Sequence, residues 1–101
     1  MDVVFVHVRV KADSVAAFLD ATRENAGHSR REPAIARFEI YQQQDDATRF
    51  VLIEAYRNAQ GPAQHQAAPH YLKWRDAVAP MMAEARTKVV YHNRVPCDED
   101  L

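Results

Sequence analysis

The segment Phe50–Tyr56 constrains the fold more than any other part of this sequence, because it alternates like a β-strand and is apolar on both faces. Alternation separates its side chains into two sets, namely Phe50, Leu52, Glu54 and Tyr56 opposite Val51, Ile53 and Ala55. A strand with two apolar faces is stable only where both faces are covered. We therefore predict that it lies in the middle of a sheet.

A single carboxylate, Glu54, lies inside this apolar strand. Burying an unpaired charge is costly, so the group must be hydrogen-bonded, ion-paired or protonated. One interpretation is a structural carboxylate held by a neighbouring arginine or tyrosine. The other is a functional acid, because His65, His70 and Tyr71 follow within two short turns. The strand by itself leaves both interpretations open.

The other periodic segments supply three more strands and two helical regions. In chain order the sequence predicts a strand at 3–10, a helix that begins after Asp13 or Ser14, strands at 35–43 and from 49, a short helix around His65, a longer helix from Pro69 and a strand at 87–95. Pro80 lies inside the longer helix, so we expect a kink or break near Ala79.

This β-α-β-β-α-β order is typical of the ferredoxin-like arrangement, an α+β fold with an antiparallel sheet. One domain covers residues 1–96, and residues 97–101 form an acidic tail. With both helices on one face of the sheet, the opposite apolar face is left bare. We therefore predict a homodimer in which a second copy covers that sheet face.

The first helix carries an apolar stripe that continues in polar residues. Its row runs from Phe18 through Thr22 to Asn25 and Ser29 at helical spacing. Either the helix extends past the edge of the core, where Asn25 and Ser29 are solvated, or its last two turns direct an amide and a hydroxyl into a cavity.

Composition excludes several classes of partner. The formal net charge is −1, so we expect no nucleic acid or anionic membrane partner. Apolar runs are only strand-sized, and the chain starts directly with a β pattern, which favours a cytoplasmic protein without a membrane span. The single cysteine, Cys97, forms no internal disulfide and is interpreted as an incidental thiol.

The motifs of common cofactor and metal sites are missing from the sequence. With Gly27 and Gly61 as its two glycines, the chain cannot build a phosphate-binding glycine loop, so we expect no nucleotide or flavin cofactor. His65 and His70 are five residues apart with Pro69 between them, a poor spacing for two ligands on one helical face, so we expect no metal. A triad of Ser29, His65 and Glu54 lacks a nucleophile elbow.

Proton transfer remains as the chemistry that these residues favour. We predict His65 as the base, assisted by Glu54, because histidine titrates near neutrality and a buried carboxylate can be tuned. Asn25, Ser29 and Tyr71 are candidate donors to an oxygen that gains negative charge. The predicted apolar walls of the pocket are Leu52, Phe38, Trp74 and Met81.

Several motifs together resemble the antibiotic biosynthesis monooxygenase family, in the branch of the quinol monooxygenases and the autoinducer-2-degrading isomerase. They are Asn25-x3-Ser29, Arg37-Phe38, Arg49-Phe50-x3-Glu54-Ala55-Tyr56 and His65-x3-Pro69-His70-Tyr71. The resemblance extends to about Pro96. It implies a dimeric α+β barrel without flavin, metal or nicotinamide, and pocket roles for Asn25, Ser29, Glu54, His65, His70 and Tyr71.

The sequence departs from the family pattern in two places. Gly61-Pro62 and Gln64 stand where helix-forming or apolar residues are usual, which affects the expected placement of His65. The pattern of the haem-degrading members is not evident, since Trp74 follows His70 along the chain.

The resemblance leads to a first hypothesis of a cofactor-independent monooxygenase that deprotonates a quinol, phenol or enolisable ketone and lets the anion react with oxygen. An isomerase of a phosphorylated hydroxy-diketone is the alternative, with Arg37, Arg49 and Lys73 as candidate phosphate anchors. A non-catalytic dimer that binds a small metabolite is the third hypothesis.

Overall fold

A computed structural model describes all 101 residues and contains one four-stranded sheet and three α-helices. The strands are β1 (Asp2–Arg9), β2 (Ile35–Gln42), β3 (Arg49–Tyr56) and β4 (Thr87–His92), and the helices are α1 (Val15–Ser29), α2 (Gly61–Ala67) and α3 (Pro69–Val78). All neighbouring strands are antiparallel, in the order β2-β3-β1-β4. The predicted α+β, ferredoxin-like fold is confirmed.

The two central strands are β3, as its two apolar faces predict, and β1. Their register pairs Val4 with Glu54 and Val8 with Phe50, so these side chains point to the same face. That face is covered by α1 and α3, and it holds the core. The largest fully buried apolar side chains there are Phe18, Phe38, Leu52, Val10 and Val78.

The polar end of the α1 stripe is buried and not solvated. Asn25 is 2% exposed and Ser29 is 0% exposed, and both belong to the helix face that packs on the sheet. The interpretation in which these side chains reach past the core is therefore wrong.

Prolines and one glycine set the ends of the second helical region. Pro69 opens α3, and the helix ends at Val78 with a 3₁₀ turn that includes Pro80, as predicted. α2 begins at Gly61, where an added Cβ would lie 2.7 Å from the Tyr56 ring. Only glycine permits this close approach to β3, which brings His65 onto the sheet one turn later.

One boundary differs from the sequence-based expectation. β4 ends at His92 instead of extending to Val95, because its end turns towards the N-terminus: the Met1 ammonium binds Asn93 Oδ1 at 2.8 Å and Asp98 Oδ2 at 2.9 Å. The start of α1 at Val15, directly after Ser14, agrees with the prediction, although a 3₁₀ turn precedes it and the Ser14 hydroxyl makes no capping bond to the helix.

The opposite face of the sheet carries no helix and exposes large apolar groups. Tyr41 is 52% exposed and Tyr91 is 53% exposed, and Phe5 packs edge-on against Tyr91 at 5.2 Å between ring centroids. No helix in the fold has the length and apolar character needed to cross a membrane.

Candidate active site

A cavity of about 260 Å³ opens between the sheet and the helices, next to the carboxylate of Glu54. Strands β1, β3 and β4 form its floor, and α1, α2 and α3 form its walls. Its polar and aromatic lining comprises Asn25, Glu54, Tyr56, His65, Gln66, Tyr71, Trp74, Arg86, Thr87 and Lys88. The structure therefore brings together five residues that the sequence analysis selected: Asn25, Glu54, His65, Tyr71 and Trp74.

His65 is 2% exposed and lies against aromatic rings on two sides. Its ring centroid is 5.5 Å from that of Phe38 and 5.2 Å from that of Tyr71. Its Nδ1 lies 2.7 Å from Glu32 Oε2. Because a carboxylate accepts hydrogen bonds, Nδ1 carries the proton in this contact, and Nε2 retains a free lone pair. This arrangement suits a general base.

Glu32 was not selected from the sequence, although it contacts both candidate histidines. Its Oε2 also lies 2.7 Å from His70 Nε2, so the two imidazoles share one carboxylate oxygen. Glu32 lies in the connection between α1 and β2, where no periodicity assigns a side chain to a face. Only its position directly before Pro33, which restricts its backbone, set it apart in the sequence.

Asn25 lies in the cavity wall and carries a buried donor that has no partner. Its Oδ1 accepts a hydrogen bond from the Ser29 hydroxyl at 3.2 Å, while its buried Nδ2 has no partner. An orphaned buried donor is costly in a folded protein and is often found where function requires it. Ser29 does not line the cavity itself and is connected to it through its hydrogen bond to this amide.

Glu54 is held by its neighbour on the same strand. The Tyr56 hydroxyl donates to Glu54 Oε1 at 2.6 Å. Burial, together with the nearby Glu54 carboxylate, raises the pKa of Tyr56 well above its ordinary value of 10. Tyr56 therefore stays protonated and keeps donating. The hydrogen bond from Tyr56 agrees with the interpretation of Glu54 as a structural carboxylate. Its place in the cavity wall agrees with the interpretation of Glu54 as a functional acid.

Two cations lie at the cavity without a carboxylate partner. Lys88 projects from β4 to the helix-covered face, opposite Val6, and Arg86 precedes the strand. The Arg86 guanidinium lies 4.8 Å from the centroid of the Trp74 ring, a cation–π contact. Neither residue forms a salt bridge. Lys88 lies two residues before Val90 and therefore on the same face of β4. This alternation is the sequence feature that could have placed Lys88 at the cavity.

The three cations proposed from the sequence as phosphate anchors lie elsewhere. Arg37 is paired with Glu39 at 2.6 Å, and Arg49 with Glu84 at 3.3 Å, both away from the cavity. The Arg37 guanidinium holds the pKa of Glu39 below its ordinary value.

Lys73, the third of them, is on an exposed part of α3 and binds Glu24 at 2.7 Å. The hydrogen bond from Lys73 lowers the pKa of Glu24. None of the three lines the cavity beside His65, because strand parity directs Arg37 and Arg49 to the other face of the sheet and Lys73 lines a separate hollow between α1 and α3.

Two more of the predicted residues lie around the cavity instead of in its wall. Phe38 is 1% exposed and packs behind the His65 ring. His70 faces a second hollow, between α1 and α3, that Asn25 and Trp74 also line. The Trp74 indole donates to the Thr22 hydroxyl at 3.0 Å, which fixes the wall between the two spaces.

Comparison with protein families shows a matching family model. It is described as antibiotic biosynthesis monooxygenase and covers residues 1–77 of the chain.

Two curated relatives are 4-hydroxy-5-phosphonooxypentane-2,3-dione isomerases, both of the 4S form of that compound. The one from Salmonella typhimurium is 36% identical over 96 residues, which cover 95% of this chain and all of that protein. The one from Klebsiella pneumoniae is 32% identical over 96 residues, covering 95% of this chain and 98% of that protein.

Solved structures share the fold along nearly the whole chain. A candidate antibiotic biosynthesis monooxygenase from Nitrosomonas europaea has 49% identity and a TM-score of 0.90, covering 92% of this chain and 98% of that one. Rv0793 from Mycobacterium tuberculosis has a TM-score of 0.86 at 22% identity, with 92% and 94% coverage, and shows the fold alone.

Proposed function

This chain belongs to the antibiotic biosynthesis monooxygenase family of enzymes, and we propose that it is an isomerase of a small phosphorylated α-hydroxy ketone. The family predicted from the sequence is thus established. Of the two enzymatic hypotheses, we now place the isomerase before the monooxygenase. The observation that carries the reversal is the pair of unpaired cations, Arg86 and Lys88, beside the His65 base. The activity for which the curated relatives are named supports the same choice.

The base is Nε2 of His65. In an α-hydroxy ketone, the C–H of the hydroxyl-bearing carbon is acidified by the adjacent carbonyl, and His65 removes that proton to give an enediolate. Returning a proton to the former carbonyl carbon, while the hydroxyl proton moves to the other oxygen, exchanges the positions of the ketone and the alcohol. No atom is gained or lost, so one base that keeps its proton within the cavity suffices.

The enediolate needs a donor for its oxygen, and Asn25 Nδ2 supplies one. The donor is already buried and aimed by Ser29, so it does not have to reorganise when negative charge develops on the substrate. Glu32 holds the imidazole in the Nδ1–H tautomer and stabilises the imidazolium that forms when Nε2 takes the proton.

The phosphate is bound by Arg86 and Lys88. A phosphate monoester carries roughly two negative charges at neutral pH, and a guanidinium and an ammonium without internal partners match that charge. Stacking on Trp74 limits the freedom of the Arg86 side chain before the ligand arrives. A neutral quinol would leave both cations without a counter-charge.

A cofactor-independent monooxygenase is the second candidate. The 49% identical relative from Nitrosomonas europaea favours it, and the same base would generate the reactive phenolate or enolate. The two activities differ after deprotonation, since the oxygenase must transfer the electrons of the anion to oxygen. A binding module without turnover would use the same cavity.

The deciding experiment compares isomerisation and oxygen uptake in one set of variants. NMR follows a phosphorylated 4-hydroxy-2,3-dione, and an oxygen electrode follows a quinol panel. We expect isomerisation, with KM raised roughly tenfold or more by Arg86→Gln or Lys88→Gln, because each removes a charge-assisted contact. Arg75→Gln and Lys11→Gln are matched controls on exposed positions.

Two results would contradict the isomerase assignment, and a third would contradict the phosphate site. Oxygen uptake without isomerisation would establish the second candidate, and silence in both assays would favour the binding module. An unchanged KM in both cation variants would remove the phosphate site from this cavity, even if isomerisation is seen.

We also propose that the bare sheet face pairs with a second copy of the chain. Tyr41, Val89 and Tyr91 are exposed on this face although they are large and apolar. A surface of this kind is unfavourable in water and is typical of an interface between subunits. The carboxylates that neutralise Arg37 and Arg49 reduce the desolvation cost of covering it.

A further inference from the structure

The group formed by Glu32, His65 and His70, here called the His-Glu-His cluster, has the composition of a metal site. One ligand atom from each residue lies within 4.8 Å of the other two. Two imidazoles and a carboxylate form a donor set that proteins use for zinc and related ions, and not for magnesium or calcium, which prefer oxygen. The chain spacing of the histidines argued against a metal, but the third ligand comes from the connection between α1 and β2.

To accept an ion, the three ligand atoms, which lie within 4.8 Å of one another, have to adjust to the spacing of a coordination sphere. With bonds of about 2.0–2.1 Å, tetrahedral ligand atoms are roughly 3.3 Å apart. Glu32 Oε2 lies 2.7 Å from both His65 Nδ1 and His70 Nε2, so those contacts lengthen slightly as the metal replaces the shared protons.

The rings are already held in place around the cluster. His28 stacks on His70 with 5.6 Å between centroids, and Phe38 and Tyr71 flank His65. The Glu32 and His70 side chains are 17% and 18% exposed, which gives an ion a route from solvent.

We propose that the His-Glu-His cluster binds one divalent transition-metal ion of the zinc class, and that the bound ion switches the enzyme off. Coordination through Nδ1 puts the imidazole proton on Nε2, which is the atom that must be unprotonated to act as a base. Metal binding and proton abstraction therefore use opposite tautomers of one ring. The inhibition rests on the proposed function, whereas the binding does not.

Binding is tested on the full chain without an activity assay. Equilibrium dialysis against Zn²⁺ and the visible absorption of Co²⁺ give stoichiometry and geometry. We expect one equivalent per chain and a tetrahedral cobalt spectrum. Glu32→Gln and His70→Gln should each weaken binding at least tenfold, while His92→Gln, an exposed histidine paired with Asp2, should not.

Circular dichroism checks that the variants are folded, and either variant alone is sufficient for the test. Stoichiometric binding lost in Glu32→Gln or His70→Gln supports the site. No binding by the wild-type chain, or affinity lost equally in His92→Gln, overturns it. A metal bound with the same affinity in both cluster variants also overturns it.

The inhibitory part is read from isomerase activity as a function of added Zn²⁺. In the wild-type chain, activity should be lost over the same Zn²⁺ concentrations at which dialysis shows binding. In His70→Gln, the Zn²⁺ concentration that halves the activity of this variant should be at least tenfold higher than in the wild type. Binding without any loss of activity would overturn the tautomer switch while leaving the site. An isomerase-silent protein that binds zinc would count against the proposed function and not against the cluster.

Discussion

The face of the sheet that the helices cover buries polar groups, whereas the bare face exposes apolar ones. On the covered face Asn25, Ser29 and His65 are at most 2% exposed, and one buried amide donor has no partner. On the bare face Tyr41 and Tyr91 are more than half exposed. Each face violates the usual distribution of polarity, and each violation costs free energy in the isolated chain. A bound substrate would give the buried polar groups partners, and a second subunit would cover the exposed apolar groups.

The charged groups show the same contrast. On the bare face Arg37 and Arg49 are neutralised by carboxylates within hydrogen-bond or ion-pair distance. At the cavity on the covered face, Arg86 and Lys88 are not. The two unpaired cations at the cavity suit the proposed anionic substrate, whereas the charges of Arg37 and Arg49 are already balanced within the chain.

The strongest test of the covered face is His65→Gln. Removing the base should lower kcat about 10²–10⁴-fold, because proton transfer by a positioned side chain contributes that much. Isomerisation followed by NMR measures it, with His92→Gln as the control on an exposed histidine. A rate within a few-fold of wild type would show that another group takes the proton.

Asn25→Ala tests whether the orphaned donor serves catalysis. We expect kcat to fall about 10²–10³-fold, as when an oxyanion donor is removed. The free energy of unfolding should change by less than about 1 kcal/mol, because losing an unsatisfied buried donor, which costs about 1–3 kcal/mol, offsets the lost packing and the lost acceptor of the Ser29 hydroxyl. Chemical denaturation and kinetics are measured together.

Ser29→Ala is a milder variant of the same test, because it keeps the Asn25 amide and removes only the hydroxyl that donates to it. Its effect on kcat should be smaller than that of Asn25→Ala. Marked destabilisation with normal kcat in Asn25→Ala would make Asn25 a structural residue.

Ile53→Arg tests the bare face. Ile53 projects from the central strand β3 on the side without helices, so a charge there should raise the dissociation constant of the proposed dimer at least tenfold, or about 1.4 kcal/mol. Sedimentation velocity at several concentrations measures it. Leu72→Arg, on an exposed part of α3, is the matched control. A wild-type chain that sediments as a monomer would refute the dimer.

Tyr56→Phe has the smallest expected effect and is seen at alkaline pH. Because burial raises the pKa of Tyr56 above 10, the unfolded chain loses this proton first as pH rises past 10. The unfolded state then binds fewer protons than the native one, so stability falls with rising pH. This residue adds up to about 1.4 kcal/mol per pH unit to that fall. Urea denaturation between about pH 9 and 11 should show a shallower fall in Tyr56→Phe.

Local patterns were sufficient to predict most of the fold. Alternation in Phe50–Tyr56 identified a central strand, and Pro69 and Pro80 set the limits of α3, because strand parity and proline geometry act within a few residues. The continuation of the α1 stripe into Asn25 and Ser29 drew attention to two polar side chains, but only the structure showed that they are buried and not solvated.

The missed residues share a physical reason. Glu32 is 33 positions from His65 and 38 from His70, in a connection with no periodicity, so its contact with both depends on how α1, β2 and α2 are arranged. Arg37 and Arg49 were selected as anchors for their charge alone, and strand parity directs them to the other face. Arg86 and Lys88 reach the cavity only because β4 pairs with β1.

The sequence by itself determined the order of strands and helices, the central position of β3 and the chemical types gathered for proton transfer, since these depend on neighbours in the chain. The tertiary structure decided which charges meet. In the tertiary structure, two arginines pair with carboxylates on the bare face and two cations lie unpaired at the cavity. His65 and His70 contact the same carboxylate oxygen of Glu32. Interactions between charges depend on distances in space, and those are fixed only when the helices pack on the sheet.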